Sequence, residues 1–427
     1  MIINHKAYMM FLYLVFFAVL IIGYKYGVVP LFEYQGWVFS LNRFKLLISL
    51  IILLIISYIA PVDIKKPSTA YIQLMLLLII VPMLVLFSVA NKPWFYMVQS
   101  LTSCVIIIVL SNYVRIKPFY IPRLSYNFVI TLFVGISVFY ILIIVMRGGF
   151  QYFNIDISKV YDFRSGAAEN LPSVFRYISP MVGKVFLPVA LILAYSSKKF
   201  KLSAFIVFLS ILVFGFTSNK GPLIYPFIVL VVYLLLSRQN YLADICKLSI
   251  LVLVISVFDF LLRLSTDNVL LGWFGSLTMR RIFLVPADLN YLYYDFFSKN
   301  EFILWSDSKI TFGFLDYIYD LSPSHLIGLE YFNNEATGAN TGWLGSGYMH
   351  AGYIGVFIYS VIISFIFVYI DGVARCLKNY KLVAAANIIP IVTLMTSSDL
   401  PSVFLTHGLF INLIIISLLI KDRVGNA

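Results

Sequence analysis

Arginines and carboxylates in the polar breaks of this chain carry the chemistry it can do. Arg280 and Arg281 are adjacent, and Arg147, Arg164, Arg176 and Lys220 come from other polar segments. A guanidinium presents a planar fork of N–H donors that fits phosphate oxygens, so such a set suits a diphosphate or a similar anionic headgroup. Each of them can equally pair with a neighbouring acid, the ordinary fate of a surface arginine. A hydroxyl that must lose its proton needs a base beside it. Three residues fit: His350, at the mouth of an apolar run, and Asp288 and Asp295 in the longest polar interval. An imidazole titrates nearest neutrality, which favours His350, although a lone histidine is more often structural. No His-x-x-x-His, Glu-x-x-His or Asp-x-Asp spacing occurs, so no metal site and no cofactor are expected. Neither a Walker-type phosphate loop nor a nucleophile elbow is present, which argues against a nucleotide-driven pump or a serine hydrolase.

The elements that must position these groups are membrane helices. Hydrophobic residues make up 61% of the 427 and charged residues 12%, with a mean hydropathy of +0.95. That excludes a soluble globular chain. The apolar runs are continuous rather than alternating, so the fold class is all-α, a polytopic integral membrane protein and not a β-barrel. Runs at 7–26, 45–61, 70–90, 94–114, 126–146, 181–196, 201–217, 222–237, 246–264, 346–370, 382–397 and 403–420 predict about twelve spans. No linker divides them, so residues 1–427 read as one helical bundle. The first run lacks a small-residue cleavage site and reads as a span, not a signal peptide.

Basic residues set the orientation. With the N-terminus inside, the inner segments hold 16 basic residues against 4 acidic ones, and the outer side is balanced. The net charge of +12 then faces anionic lipid headgroups, not nucleic acid. This puts both termini in the cytoplasm and two sizeable loops, 147–180 and 265–345, outside. Cys104, Cys246 and Cys376 offer no pair on the outer face, so no disulfide is expected.

Within the longer loop, 277–299 reads as a helix that restarts at Pro286, where a missing N–H costs nothing in a first turn. Asp288, Leu292, Asp295 and Lys299 fall on one stripe, and Tyr291, Tyr294 and Phe297 on another. Such a helix can lie along the membrane surface with its aromatics at headgroup level. In the ninth run Asp259 and Arg263 are four apart in acid-first order and predict an ion pair. Lys184, early in the sixth, reads as snorkelling.

Three segments carry a resemblance: Phe214-Gly-Phe-Thr-Ser-Asn-Lys220-Gly-Pro at a span break, Thr278-Met-Arg280-Arg281, and Asn340-Thr-Gly-Trp-Leu-Gly followed by Gly352-Tyr-Ile-Gly355. Together with the layout of nearly the whole chain, they resemble the Wzy-type polymerases of bacterial O-antigen and capsular repeat units. The resemblance implies an inverting, metal-independent glycosyltransferase of the GT-C type in the bacterial inner membrane, acting on undecaprenyl-diphosphate-linked oligosaccharides. It would pass the growing chain to a sugar hydroxyl of the incoming repeat unit. Arginines would stabilise the departing diphosphate, a base would take the hydroxyl proton, and a polysaccharide chain-length regulator would be a partner. A ligase would share this chemistry and differ in acceptor. A lipid-linked oligosaccharide flippase would show short loops and two matched halves, and 265–345 has no counterpart in the first half.

Overall fold

The computed structural model describes residues 2–156, 159, 160, 163, 166, 173–266, 268–308 and 311–420. Among them every regular element is helical, and Leu124 and Leu419 form an isolated bridge. The helices are α1 (His5–Gln35), α2 (Arg43–Ile59), α3 (Pro67–Val89), α4 (Trp94–Tyr113), α5 (Tyr126–Met146), α6 (Tyr177–Ser196), α7 (Phe200–Thr217) and α8 (Lys220–Leu235). They continue with α9 (Tyr241–Thr266), α10 (Val285–Phe297), α11 (Pro323–Phe332), α12 (Trp343–Leu377), α13 (Tyr380–Thr396), α14 (Leu400–Leu405) and α15 (Leu409–Leu418). Eight of these are long and apolar enough to cross a membrane: α1, α3, α4, α5, α6, α7, α9 and α12. The chain is therefore a helical, membrane-embedded protein, with α8, α13 and α15 as shorter apolar helices.

Local chemistry sets the helix starts. Side chains of Asn42, Ser125, Asn219 and Asn379 each accept a hydrogen bond from a backbone N–H of the first turn, satisfying a donor that has no intrahelical partner. Four prolines inside long helices leave a common signature. Pro30, Pro82, Pro188 and Pro286 each follow by two residues a π-helical stretch, respectively Tyr24–Val28, Leu76–Ile80, Val182–Phe186 and Ser276–Leu284. Proline removes an N–H and its ring collides with the carbonyl one turn back; a widened turn relieves the collision without ending the helix. This corrects the expected restart at Pro286: the helix runs through it from Ser276 to Phe297.

That helix does not lie on the membrane surface. Leu289, Asn290, Tyr291, Tyr293, Phe296 and Phe297 are buried, Tyr291 donates to the Met83 carbonyl of α3, and Tyr96 of α4 stacks on Tyr294. The aromatic stripe faces the bundle because three neighbouring helices offer it more apolar area than one interface would.

The expected tenth span begins differently from its sequence reading. α12 breaks at Ala351 (φ −152°, ψ 33°) and Gly352 (φ 58°, ψ −135°). Trp343 Nε1 donates to Ser103 Oγ, while the Tyr348 ring meets Tyr96, two turns nearer the start of α4. After the break Ser360 returns to Ser103, at 2.6 Å. Trp343–His350 is therefore a short arm that rises beside the crossing arm and folds onto it. A Cβ on Gly355 would stand 2.0 Å from the Gly347 carbonyl oxygen, so only glycine permits this approach. Backbone at this depth is tolerated because protein covers it. Asn290, fully buried, accepts from Gly345 N (2.8 Å) and Thr341 Oγ1 (3.1 Å) and donates to the Pro286 carbonyl. The 265–345 interval is thus largely built into the bundle.

Three smaller expectations also change. Asp259 does not pair with Arg263; it caps the next turn, accepting from Gly272 N and Gly275 N at 3.0 and 2.8 Å. Lys184 does not snorkel but meets His407 Nδ1 at 3.0 Å. The last run is split into α14 and α15 by Gly408 at φ 83°.

Candidate functional site

A cavity of about 1050 Å³ opens where the end of α1, the π-helical turns before α10, the 333–340 loop and the end of α13 meet. Arg280, Arg281 and Asp288 all line it, so three of the sequence candidates are brought together. The walls add Tyr34 and Gln35 from α1, Tyr331 from α11, Asn333, Asn334 and Asn340 from the loop, and Thr396 and Ser397 beyond α13.

Arg280 is held as an oriented fork. Its Nε and Nη2 donate to Ser276 Oγ at 3.2 and 2.9 Å, its Nη1 donates to Gln35 Oε1 at 3.0 Å, and the Phe32 ring lies 4.3 Å under the guanidinium. Five N–H groups minus these contacts leave one on each Nη for a ligand. Burial and then the adjacent Arg281 cation lower its pKa, so the site gains by taking in an anion. Arg281 is exposed at the cavity wall. Among the described residues no carboxylate lies within 4.0 Å of either guanidinium. The π-helical stretch matters here, because it sets both arginines off an ordinary helical register on the cavity side.

Asp288 is mostly buried and bonds Lys92 at 2.6 Å. Lys92 also lies 5.7 Å from the centre of the Tyr291 ring. Asp295 is outside the cavity: it accepts from Lys299 Nζ and Tyr331 Oη, each at 2.7 Å, and braces α11 against α10. Burial alone would raise its pKa, but the Lys299 and Tyr331 hydrogen bonds and the Lys299 and Lys92 charges outweigh that and lower it.

His350 stands apart from these groups, which corrects its placement at an open membrane mouth. It has no exposed surface and ends the short arm of α12. Its Nδ1 accepts from Trp305 N (3.1 Å), its Nε2 meets Asp399 Oδ2 (3.2 Å), and the Trp305 indole stacks on it at 4.9 Å. Tyr359 donates to Asp399 Oδ1 and accepts from Trp305 Nε1, each at 2.8 Å. With both ring nitrogens engaged and no path to the cavity, His350 locks the break in α12 to the 303–308 loop.

The remaining arginines do not join the cavity. Arg147 is exposed at the C-cap of α5 and Lys220 is the first residue of α8. They share one end of the bundle, because Phe150 and Phe153 pack on Phe216 and Asn154 N donates to the Gly215 carbonyl. Arg164 lies outside the described residues, and of Arg176 only the helical backbone is described. Sequence reasoning missed Lys92 and Gln35. Lys92 had a signal, being a lone cation in the short Asn-Lys-Pro break between two runs, but a carboxylate partner 196 positions away leaves no local pattern.

Beside the cavity, α8, α9, α3 and α13 enclose an apolar groove of about 540 Å³, lined by residues such as Leu74, Ile224, Phe227, Val231, Leu248 and Ile388. Ile228 lines both spaces, so the groove runs into the arginine cavity. Set against known proteins, the chain matches no family model, no curated protein and no solved structure, and the reading of this cavity rests on its own geometry.

Proposed function

We propose that this chain is a membrane glycosyltransferase that polymerises oligosaccharide repeat units carried on undecaprenyl diphosphate, as the sequence resemblance implies. One observation carries the reading: an arginine-lined polar cavity continues, through Ile228, into an apolar groove inside the bundle. A ligand that is a diphosphate at one end and a long isoprenoid at the other fits that pair of spaces. Arg280 and Arg281 hold the diphosphate of the donor. Asn333, Asn334, Asn340 and Tyr34 line the cavity with amides and an aromatic face suited to sugar hydroxyls and rings. The acceptor hydroxyl oxygen attacks the anomeric carbon of the donor. Its proton passes to Asp288, the glycosyl–phosphate bond breaks, and the lipid diphosphate leaves with the electron pair. The charge that grows on the leaving oxygen is met by donors already in place.

The test is Arg280→Lys and Arg281→Lys, each assayed as polymer formed per folded molecule. Lysine keeps the charge and loses the fork. Loss of one preorganised donor at a leaving group costs about 10²- to 10³-fold in rate, and Arg280→Lys is expected in that range. Full activity in both variants would remove the diphosphate clamp from the reading.

Twelve passes with both termini cytoplasmic complete the proposal, with α2, α8, α13 and the α14–α15 pair added to the eight long helices. The cavity then faces the periplasm, where lipid-linked repeat units are joined. In a background without Cys376, an impermeant maleimide added to intact spheroplasts should label Asn334→Cys and leave Lys65→Cys untouched. The reverse pattern inverts the topology and overturns the periplasmic site.

A further inference from the structure

Joining two lipid-borne molecules requires a second approach from the bilayer, and the groove at Ile228 serves one. Another groove, of about 620 Å³, lies between α4 and the crossing arm of α12, walled by Trp94, Phe95, Val98, Val356 and Phe357. We infer that this groove takes the isoprenoid tail of the second lipid diphosphate, the one bearing the attacking hydroxyl, and that Lys92 receives its diphosphate. The inference rests on the transferase reading above.

Position is the first argument. α4 begins at Trp94, two residues after Lys92, so the head of this groove lies at the helix end that carries the Lys92–Asp288 pair. The other groove reaches the cavity at Ile228, on the side of Arg280 and Arg281. Two tails entering by the two grooves bring their headgroups to opposite sides of Asp288, the geometry a displacement needs when the base stands beside the nucleophile.

The chemistry of the walls is the second. Ser103 and Ser360 on the floor are bonded to each other at 2.6 Å, and Ser103 also accepts from Trp343 Nε1, so the floor presents no unspent donor. Val98 and Phe357 are exposed, leaving the groove open along its side. Gln99 is the exception. Only 8% of it is exposed, and neither its amide nitrogen nor its oxygen has a partner among the described residues. An unpaired buried amide is costly. It lies about 7 Å along the axis from Trp94 at 1.5 Å per residue, and a rotation of its side chain presents an N–H toward the head of the groove.

Lys92 links this groove to the reaction. Its ammonium is bonded to Asp288, the proposed base. A diphosphate arriving at the groove head competes for that ammonium and draws it away, leaving the carboxylate free to take the hydroxyl proton. The base is then released when the acceptor is bound, which guards the donor against transfer to water.

A tail-diazirine undecaprenyl diphosphate, photolysed with the full-length protein in nanodiscs, tests this by mapping labelled peptides. Wild type should be labelled on α4 and α12 as well as on α8 and α13, with competition by unlabelled undecaprenyl diphosphate and not by phosphatidylglycerol. Val98→Trp and Thr102→Trp, both at exposed wall positions, should lower α4 labelling and transfer at least about tenfold while α8 labelling persists. Lys92→Met should weaken α4 labelling without the steric block. Labelling confined to α8 and α13, equal competition by phosphatidylglycerol, or wild-type transfer by both Trp variants overturns the second groove. If the Arg280 variants still lose turnover in that case, the transferase reading stands without it. Absence of label at both grooves, with full activity in the Arg280 variants, sinks both.

Discussion

Asp288→Asn should lower polymer formed per folded molecule by roughly 10²- to 10⁴-fold, the span expected for losing a positioned base. The amide matches the carboxylate in size, so the cavity keeps its shape, but it cannot accept the hydroxyl proton. Asp288 lines the cavity that holds both arginines, and its partner Lys92 lies toward α4. Asp295→Asn supplies the contrast. Asp295 is about half exposed, tied to Lys299 and Tyr331, and outside the cavity, so its replacement should loosen α11 and leave turnover per folded molecule near wild type. Loss confined to the Asp295 variant would move the base to that carboxylate and dissolve the proposed site.

These two carboxylates also show what was legible in the sequence. Asp288 and Asp295 are seven apart on one helix and fall on one stripe, as their spacing says, yet only Asp288 reaches the cavity. The difference lies in what packs against each turn: Lys92 comes from the α3–α4 break, and Tyr331 from α11. Composition and apolar runs were enough for an all-helical membrane protein, because a bilayer forces the backbone to satisfy itself within each segment. The adjacency of Arg280 and Arg281 was visible, and their joint placement followed.

Other features were beyond the reach of periodicity. The short arm Trp343–His350 reads as the start of an apolar run, and nothing local says that it folds back on the same helix. The glycines at 347, 352 and 355 allow the fold, but the cause is distant: Asn290 on α10 and Ser103 on α4 supply the hydrogen bonds that a buried, turned backbone needs. Arg147, Arg176 and Lys220 share a polar character with the cavity arginines and nothing more that spacing can reveal. Proline, by contrast, misled. Pro286 reads as a restart, and a π-helical stretch absorbs it, which is what swings Arg280 toward Gln35.

His350→Ala should act on folding and not on turnover. The imidazole is sealed, so its removal leaves Trp305 N and Asp399 Oδ2 without a partner and opens a void beneath the indole. Breaking a buried His–Asp contact by truncating one side costs about 3–5 kcal/mol, which in a protein of ordinary stability is a large loss of folded yield. Polymer formed per surviving folded molecule should match wild type; a fall of the same size as that of Asp288→Asn would restore His350 as the base. Asp307, beside this cluster, adds a pH signature. Its pKa is raised above the usual carboxylate range by burial, which, with the Asp399 charge, outweighs the lowering by His350. A raised folded pKa means that the proton favours the folded state: the contribution is fully present below about pH 4 and is lost as pH rises through the folded value. Asp307→Asn removes that loss. The variant should melt above wild type at pH 7.5, with the gap closing toward pH 4 in a thermal unfolding series. A variant that instead melts below wild type at pH 7.5 would show that the Asp307 carboxylate serves as a charged partner of His350, and would reassign the cluster from a neutral latch to an ionised one.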